Sequence, residues 1–199
     1  MRVPRAGLSE ELVIEEAARL ADEVGLEQMT LTVLAERLGV RQPSLYKHVD
    51  GVASLRRGIS LRAKTALAEI LARSAVGRSR EDAIVSMSEA YRRWALAHPG
   101  QYEAAQRAPA EGDDEDQAAS RAVVEICADV LLGYGLEGDD AIDAIRAYRS
   151  ALHGFLSLET SGAFGLPRDV NRSFDQLIRA LSMTFTNWPA VTSTASDAS

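Results

Sequence analysis

The sequence predicts an all-helical protein, and three features of its 199 residues lead to that prediction. Ala, Leu, Glu and Arg are abundant while runs of β-branched residues are scarce, which favours helix over strand. Apolar residues recur at helical spacing in every long segment, and no strand pattern stands beside them. No segment approaches the roughly 18 apolar residues that a membrane span needs. We therefore expect helices that bury a core of their own.

The N-terminal part of the chain predicts one helix followed by two shorter ones. The first begins after Ser9, a favourable N-cap residue, and ends at Gly25. The second begins after Thr30 and ends at Gly39, and Pro43 stands where the first turn of a third helix accepts proline. The apolar spacing behind the two longer helices is that of Val13, Ala17, Leu20 and Val24, then Leu31, Leu34, Ala35 and Leu38.

The rest of the chain continues as helices separated by turn residues. A long helix is predicted from Val52 to near Gly77, and the next opens at Ser79. Asp139 or Asp140 is expected to cap a later long helix. Residues 189–199 lack periodicity and are predicted to form a disordered tail. The expected breaks lie at His98–Gly100, the acidic run 111–116, the glycines of 133–138 and the turn 162–167.

Charge is distributed unevenly along the chain. The net charge is −7, yet the segment between Arg37 and Lys64 carries +6, which leaves −13 for the remainder. A basic segment on an acidic chain is typical of a DNA-binding domain, and it is equally typical of a solvated helix face. Charge alone leaves both interpretations open. The basic residues are Arg37, Arg41, Lys47, Arg56, Arg57, Arg62 and Lys64, against the single acidic residue Asp50.

Residues 30–49, TLTVLAERLGVRQPSLYKHV, predict two short helices joined by a tight turn. Gly39 permits a left-handed turn without steric cost, Val40 fills the gap between the helices, and Leu45 and Val49 anchor the second helix. Hydrogen-bonding and aromatic side chains remain exposed on a helix of the width that enters the major groove of DNA. These side chains are Arg41, Gln42, Ser44, Tyr46, Lys47 and His48.

This segment resembles the helix-turn-helix of the tetracycline-repressor (TetR) family, whose motif looks like T-x-x-x-L-A-x-x-x-G-V-x-x-x-x-L-Y-x-H-F. Val49 replaces the usual Phe, and Val52 stands where the family commonly has a phosphate-binding Lys, which leaves that one contact open. The matching residues are Thr30, Leu34, Ala35, Gly39, Val40, Leu45, Tyr46 and His48.

The resemblance implies a DNA-binding domain in residues 1–54 and identifies the residues expected to face the DNA. Tyr46 and His48 are expected to touch mostly phosphates, while Arg41, Gln42 and Lys47 are expected to hydrogen-bond with base edges. The full implied surface comprises Thr30, Thr32, Arg41, Gln42, Pro43, Ser44, Tyr46, Lys47 and His48.

The C-terminal part, residues 55–188, resembles the family's ligand-binding and dimerisation domain more loosely. Tyr91–Pro99, Leu152–Glu159 and Gly165–Pro167 are similar to a subfamily marked by Trp, His and Gly. The resemblance implies a homodimer through the last two helices and a small apolar effector among the middle helices. Six residues are candidates for effector contact, with a plain core role equally open: Met87, Tyr91, Trp94, Tyr102, Tyr148 and Phe155.

Three other sequence features give only weak indications of function. Gly133-x-Gly135-x-x-Gly138 matches a dinucleotide-binding fingerprint by letter, but it follows a helix and not a strand, so a helix–helix turn is predicted. The acidic run 111–116 is expected to be a solubilising loop rather than a cation site. His48, His98 and His153 are too scattered for metal-ligand spacing.

Together these features predict a cytoplasmic transcription regulator without cofactor, associated with the nucleoid when it is bound to DNA. Cys127 is the only cysteine, which excludes an intrachain disulfide and suits a reducing compartment. No nucleophile, base or metal ligands lie at a productive spacing, so an enzyme is the weaker alternative. A ligand-independent architectural DNA-binding protein and a protein-protein adaptor remain as alternatives, and repressor and activator share the same motif.

Overall fold

The computed structural model describes residues 8–188, and this part of the chain contains nine α-helices and no strand. The all-helical prediction is confirmed. The predicted tail 189–199 lies outside the described residues. The helices are α1 (Glu10–Val24), α2 (Leu31–Leu38), α3 (Gln42–Leu45), α4 (Val52–Ala75), α5 (Arg80–Ala97), α6 (Pro99–Ala105), α7 (Asp114–Leu132), α8 (Gly138–Thr160) and α9 (Val170–Thr186).

Local sequence explains where the first two helices begin and end. The Ser9 hydroxyl accepts a hydrogen bond from the backbone N–H of Leu12 at 3.2 Å, so it satisfies a donor that the helix leaves free. The Thr30 hydroxyl does the same for α2, and Gly39 ends that helix in the left-handed conformation at φ 67°. Both predicted caps and both predicted ends are confirmed.

Two predicted helix boundaries are corrected. Glu137, not Asp139 or Asp140, occupies the N-cap position of α8, because Gly138 already begins the helix and places both aspartates in its first turn. His98 does end α5, but α6 begins immediately at Pro99, since proline fits the first turn of a helix. The predicted helix–helix turn at 133–138 does connect α7 to α8.

The helices bury two hydrophobic clusters, and α4 belongs to both. Leu55 and Ile59 of α4 pack into an N-terminal core with α1, α2 and α3. Ala63 and Leu67, one and two turns further, pack into a C-terminal core formed with α5, α7, α8 and α9. The domain boundary predicted between residues 54 and 55 therefore falls within a continuous helix, and α4 links the two cores mechanically.

A second link joins the two cores where α6 meets α1. The Asp22 carboxylate accepts hydrogen bonds from the backbone N–H of Gln101 at 2.9 Å and from its side-chain amide at 2.6 Å. His98 Nδ1 lies 3.0 Å from the same carboxylate. A Cβ on Gly100 would stand 2.2 Å from the carbonyl oxygen of Ala21, so only glycine permits this close approach.

The acidic run 111–116 is not simply a solubilising loop, and that prediction is wrong for its second half. Asp113 caps α7 and receives two hydrogen bonds of 2.6 Å from the Arg57 guanidinium of α4. Asp116 is 2% exposed and lies 2.6 Å from the Lys64 ammonium, which is 4% exposed. The run supplies the N-terminal turn of α7, where negative charge is favoured. Its carboxylates also pair with the basic side chains of Arg57 and Lys64, which face it from α4.

The Arg57–Asp113 pair makes the stability of the fold depend on pH in the acidic range. Hydrogen bonds from Arg57 lower the pKa of Asp113 from 3.8 to about 2. A carboxyl whose pKa is lower in the folded state contributes stability above its unfolded pKa, and that contribution is lost as the pH falls towards its folded pKa. We expect the difference in Tm between wild type and Asp113→Asn to be largest above pH 4 and to shrink from about pH 4 towards pH 2.

Scanning calorimetry across this range tests that prediction. Asp143→Asn is the matched control, because Asp143 forms only an exposed pair with Arg146, and exposed pairs contribute little. A difference between wild type and Asp113→Asn that stays constant with pH would contradict it.

Candidate DNA-binding surface and ligand cavity

The helix-turn-helix predicted for residues 30–49 is present, with a shorter second helix than expected. α3 spans only Gln42–Leu45 and continues as turns that place the backbone N–H groups of His48 and Val49 at 2.9 and 3.0 Å from the Leu45 carbonyl. Leu45 is fully buried and Val49 nearly so. These two residues anchor the segment on the N-terminal core, which fixes its outer face.

The predicted DNA-contact residues are all exposed or partly buried. Tyr46 is 55% exposed, and the Thr32 hydroxyl donates to Gln42 Oε1 at 3.3 Å, which joins the start of α2 to α3. The Thr30 hydroxyl is already used as the cap of α2. Arg41, Pro43 and Lys47 are exposed, while Gln42, Ser44 and His48 are partly buried.

The basic segment does not form one continuous basic face. Within residues 8–188, Arg41 and Lys47 alone among its seven basic residues have no carboxylate within 4 Å. The positive charge available to DNA on this segment is therefore concentrated at α3. The other five pair as follows: Arg37 with Glu16 and Glu23, Arg56 with Glu27, Arg57 with Asp113 and Glu115, Arg62 with Glu15, and Lys64 with Asp116.

The C-terminal core contains a cavity of about 350 Å³, here called the central cavity, which opens to solvent at Arg107, Val124 and Arg149. It lies between α4, α5, α7, α8 and the segment 105–109, which begins with the last residue of α6. Its volume is at the lower end of the range for small-molecule sites. Most of its wall is apolar, formed chiefly by Leu67, Leu71, Val123, Cys127, Ile145 and Leu152.

Two of the six predicted effector residues, Tyr91 and Tyr148, line the central cavity. The other four lie elsewhere: Met87 is fully buried in the core, Trp94 packs against His98, Tyr102 is hydrogen-bonded to His153 Nδ1 at 2.7 Å, and Phe155 packs against Phe164 and Phe174.

Sequence reasoning missed the contributions of α4 and the segment 105–109 to the cavity. Lys64 and Leu67 reach it from α4, and Gln106 and Arg107 reach it from the end of α6. The sequence held no signal for them, because a cavity arises where several helices diverge and not from the periodicity of any one helix.

Burial keeps two polar side chains of the cavity wall, those of Cys127 and Tyr148, uncharged at neutral pH. Burial raises the pKa of the Cys127 thiol to about 12, so the thiol is protonated at neutral pH. Burial also raises the pKa of Tyr148, whose hydroxyl lies 2.7 Å from the Ser88 hydroxyl.

In residues 8–188 no group of three His, Cys, Asp or Glu side chains is arranged to hold a metal ion. None of the helices in that range combines the length and apolar character needed to cross a bilayer.

Known proteins share both the sequence and the fold. Residues 84–181 match the family model for the tetracyclin repressor-like C-terminal domain. The HTH-type transcriptional regulator Rv0681 of Mycobacterium tuberculosis is 42% identical over 79% of this chain and 72% of its own length. The HTH-type transcriptional regulator YobS of Bacillus subtilis is 33% identical over 88% of this chain and 92% of its own length.

A solved structure also shares the fold. A variant of TetR from Acinetobacter baumannii AYE, in complex with minocycline, superposes with a TM-score of 0.68 and 25% identity, covering 93% of this chain and all of that one. Fold, exposed α3 and relatives together define a helix-turn-helix transcriptional regulator that binds DNA, not an enzyme. The chain belongs to the tetracycline-repressor (TetR) family.

Proposed function

We propose that this protein is a homodimeric repressor that binds a palindromic operator and is released from it by a small apolar effector in the central cavity. One observation carries the proposal. The helix α4 holds Leu55 and Ile59 in the N-terminal core and lines the central cavity with Lys64, Leu67 and Leu71. A ligand that displaces this helix at the cavity thus also displaces the helix-turn-helix that packs on it.

The DNA-binding half of the proposal rests on the outer face of α3. Arg41, Gln42 and Lys47 are expected to hydrogen-bond with base edges, while Tyr46 and His48 mostly contact phosphates. Two such surfaces have to meet successive major-groove faces about 34–36 Å apart, which a two-fold dimer provides.

The dimer half rests on an exposed apolar surface along α8 and α9. Leu158 and Met183 are 48% and 67% exposed. Gly154 lies one turn before Leu158. Beyond its chain neighbours and its own helix backbone, no atom lies within 4 Å of the place where its Cβ would stand, so it is open to a close approach by another helix. We infer that α8 and α9 pack against the same helices of a second subunit.

Release needs a ligand that binds one conformation of the dimer better than the other. An effector with differential affinity of a few kcal/mol suffices to change operator occupancy substantially. Support for a ligand in this domain comes from the cavity itself and from the A. baumannii neighbour, which holds minocycline. The regulator acts in the cytoplasm, on the nucleoid when it is bound to DNA.

Selection from a random-sequence DNA pool tests the DNA half directly. We expect wild type to enrich one palindromic site, with affinity that falls steeply as salt rises. Tyr46→Ala is expected to weaken binding to that site by about tenfold or more, because it removes the contact between the exposed Tyr46 side chain and a DNA phosphate. No enriched palindrome, or a Tyr46→Ala variant that binds as wild type does, would contradict the proposal.

Lys47→Ala tests the electrostatic contribution of α3. Loss of one positive charge from the interface is expected to reduce the salt slope by about 1, and loss of a base-edge contact is expected to relax specificity at that position. Arg73→Ala is the matched control, since Arg73 is an exposed base on α4 that pairs with Glu69 inside its own helix. Equal salt slopes for Lys47→Ala and Arg73→Ala would remove Lys47 from the interface.

A further inference from the structure

The polar side chains of the central cavity gather at one end of it. Lys64 is the first cavity-lining residue of α4, and Ser120 is the first of α7. The Lys64 ammonium lies 2.6 Å from Asp116, which stands one helical turn before Ser120. Lys64 and Ser120 therefore share the end of the cavity where α7 begins, here called the polar end.

Three further polar residues lie at the same end. Gln106 and Arg107 follow α6 directly, and Arg149 of α8 donates a hydrogen bond to Gln106 at 3.2 Å. Arg107 also lines a second surface cavity with Val52 and Arg56 near the start of α4, which places it towards Lys64 and away from Leu71. The opposite end is lined by apolar side chains such as Leu71 and Cys127.

The polar end carries positive charge that the protein does not neutralise. Lys64 is paired with Asp116, but neither Arg107 nor Arg149 has a carboxylate within 4 Å in residues 8–188. No Asp or Glu lines the cavity. The Ser120 hydroxyl oxygen is buried without a hydrogen-bond partner there, which is costly unless a ligand supplies one.

We propose that the effector is an amphipathic anion. Its alkyl or aryl group fills the apolar end of the central cavity, and its carboxylate or phosphate accepts hydrogen bonds from Arg107, Arg149 and the Ser120 hydroxyl. Arg107 and Arg149 are exposed, so water solvates them in the free protein. A neutral apolar molecule of the same shape forms no charge-assisted hydrogen bonds with them, so it binds more weakly. This inference rests on the proposed function, because it takes the central cavity to be the effector site.

The position of the polar end also connects the anion to the DNA-binding domain. Gln106 and Arg107 continue directly from α6, whose first turn is held on Asp22 of α1 through Gln101. An anion that draws Arg107 and Arg149 together pulls on α6, and through it on α1.

Calorimetric titration of the full chain with two matched series tests the proposal. The first series is straight-chain carboxylates from hexanoate to tetradecanoate with aromatic carboxylates, and the second is the corresponding alcohols. We expect at least one carboxylate to bind about tenfold or more tightly than its alcohol, as charge-assisted hydrogen bonds add to the shared burial of the chain. Dodecanoyl-coenzyme A separates a free acid from a thioester whose phosphates supply the anionic head.

The variants identify the residues that hold the head group. Arg149→Gln and Arg107→Gln are each expected to lose most of the preference for carboxylate over alcohol. Arg146→Gln is the matched control, because Arg146 lies one turn earlier on α8, is exposed and does not line the cavity. Alcohols that bind as tightly as carboxylates, no binding by any carboxylate or thioester, or an unchanged preference in both arginine variants would overturn the proposal.

The same titrations in the presence of operator DNA separate two kinds of failure. Carboxylates that bind in the arginine-dependent way without altering operator affinity would retain the ligand class and contradict ligand-induced release. Operator release by alcohols, with the arginine variants behaving as wild type, would contradict the ligand class and retain the release mechanism.

Discussion

Asp116→Leu is expected to lower the free energy of unfolding by about 3–5 kcal/mol, because it leaves a buried ammonium without its counter-charge. Lys64 and Asp116 are 4% and 2% exposed, and their charged atoms lie 2.6 Å apart. The pair also holds the first turn of α7 on α4, so its loss exposes one side of the central cavity. Urea unfolding followed by circular dichroism measures the change.

Two variants control this experiment. Asp114→Leu removes an exposed acid from the same first turn of α7 and is expected to cost less than about 1 kcal/mol. The double variant Lys64→Met with Asp116→Leu replaces both charges by apolar groups and is expected to recover much of the stability lost in Asp116→Leu. If Asp116→Leu were as stable as Asp114→Leu, the buried Lys64–Asp116 pair would not stabilise the fold.

The sequence was sufficient to predict the helix-turn-helix, since its structure depends on neighbours in the chain. The Thr30 cap, the left-handed Gly39 and the buried Leu45 each act within a few residues of their own position. Such short-range signals predict the elements and the exposed face of α3 together. The relatives confirm the class of protein that this motif indicated.

The sequence was insufficient for interactions between distant segments. Lys64 and Asp116 are 52 residues apart, so the charge pattern grouped Lys64 with the basic segment and Asp116 with an acidic loop. Helical periodicity likewise predicts which face of α5 is buried but not what lies opposite each buried residue. Tyr91 faces the cavity, whereas Met87, one turn away on the same helix, packs entirely against protein.

Gly154→Arg is expected to convert the dimer into a monomer and to weaken operator binding by a factor of about 10²–10⁴, because two linked half-site contacts are replaced by one. Gly154 is exposed on α8, and beyond its chain neighbours and the backbone of its own helix turns no atom lies within 4 Å of its Cβ position. The introduced side chain therefore has room within one subunit. In the proposed dimer it places a guanidinium, without a partner, in the interface one helical turn from the exposed Leu158.

Sedimentation and operator titration of the same preparation test both halves of this expectation. Ala118→Arg, at an exposed position of α7, is the matched control and is expected to remain dimeric with unchanged operator affinity. A Gly154→Arg protein that is still dimeric would place the interface elsewhere than on α8 and α9. A monomer that binds operator as tightly as wild type would instead show that half-site spacing does not set affinity, because a single α3 would then provide all of it.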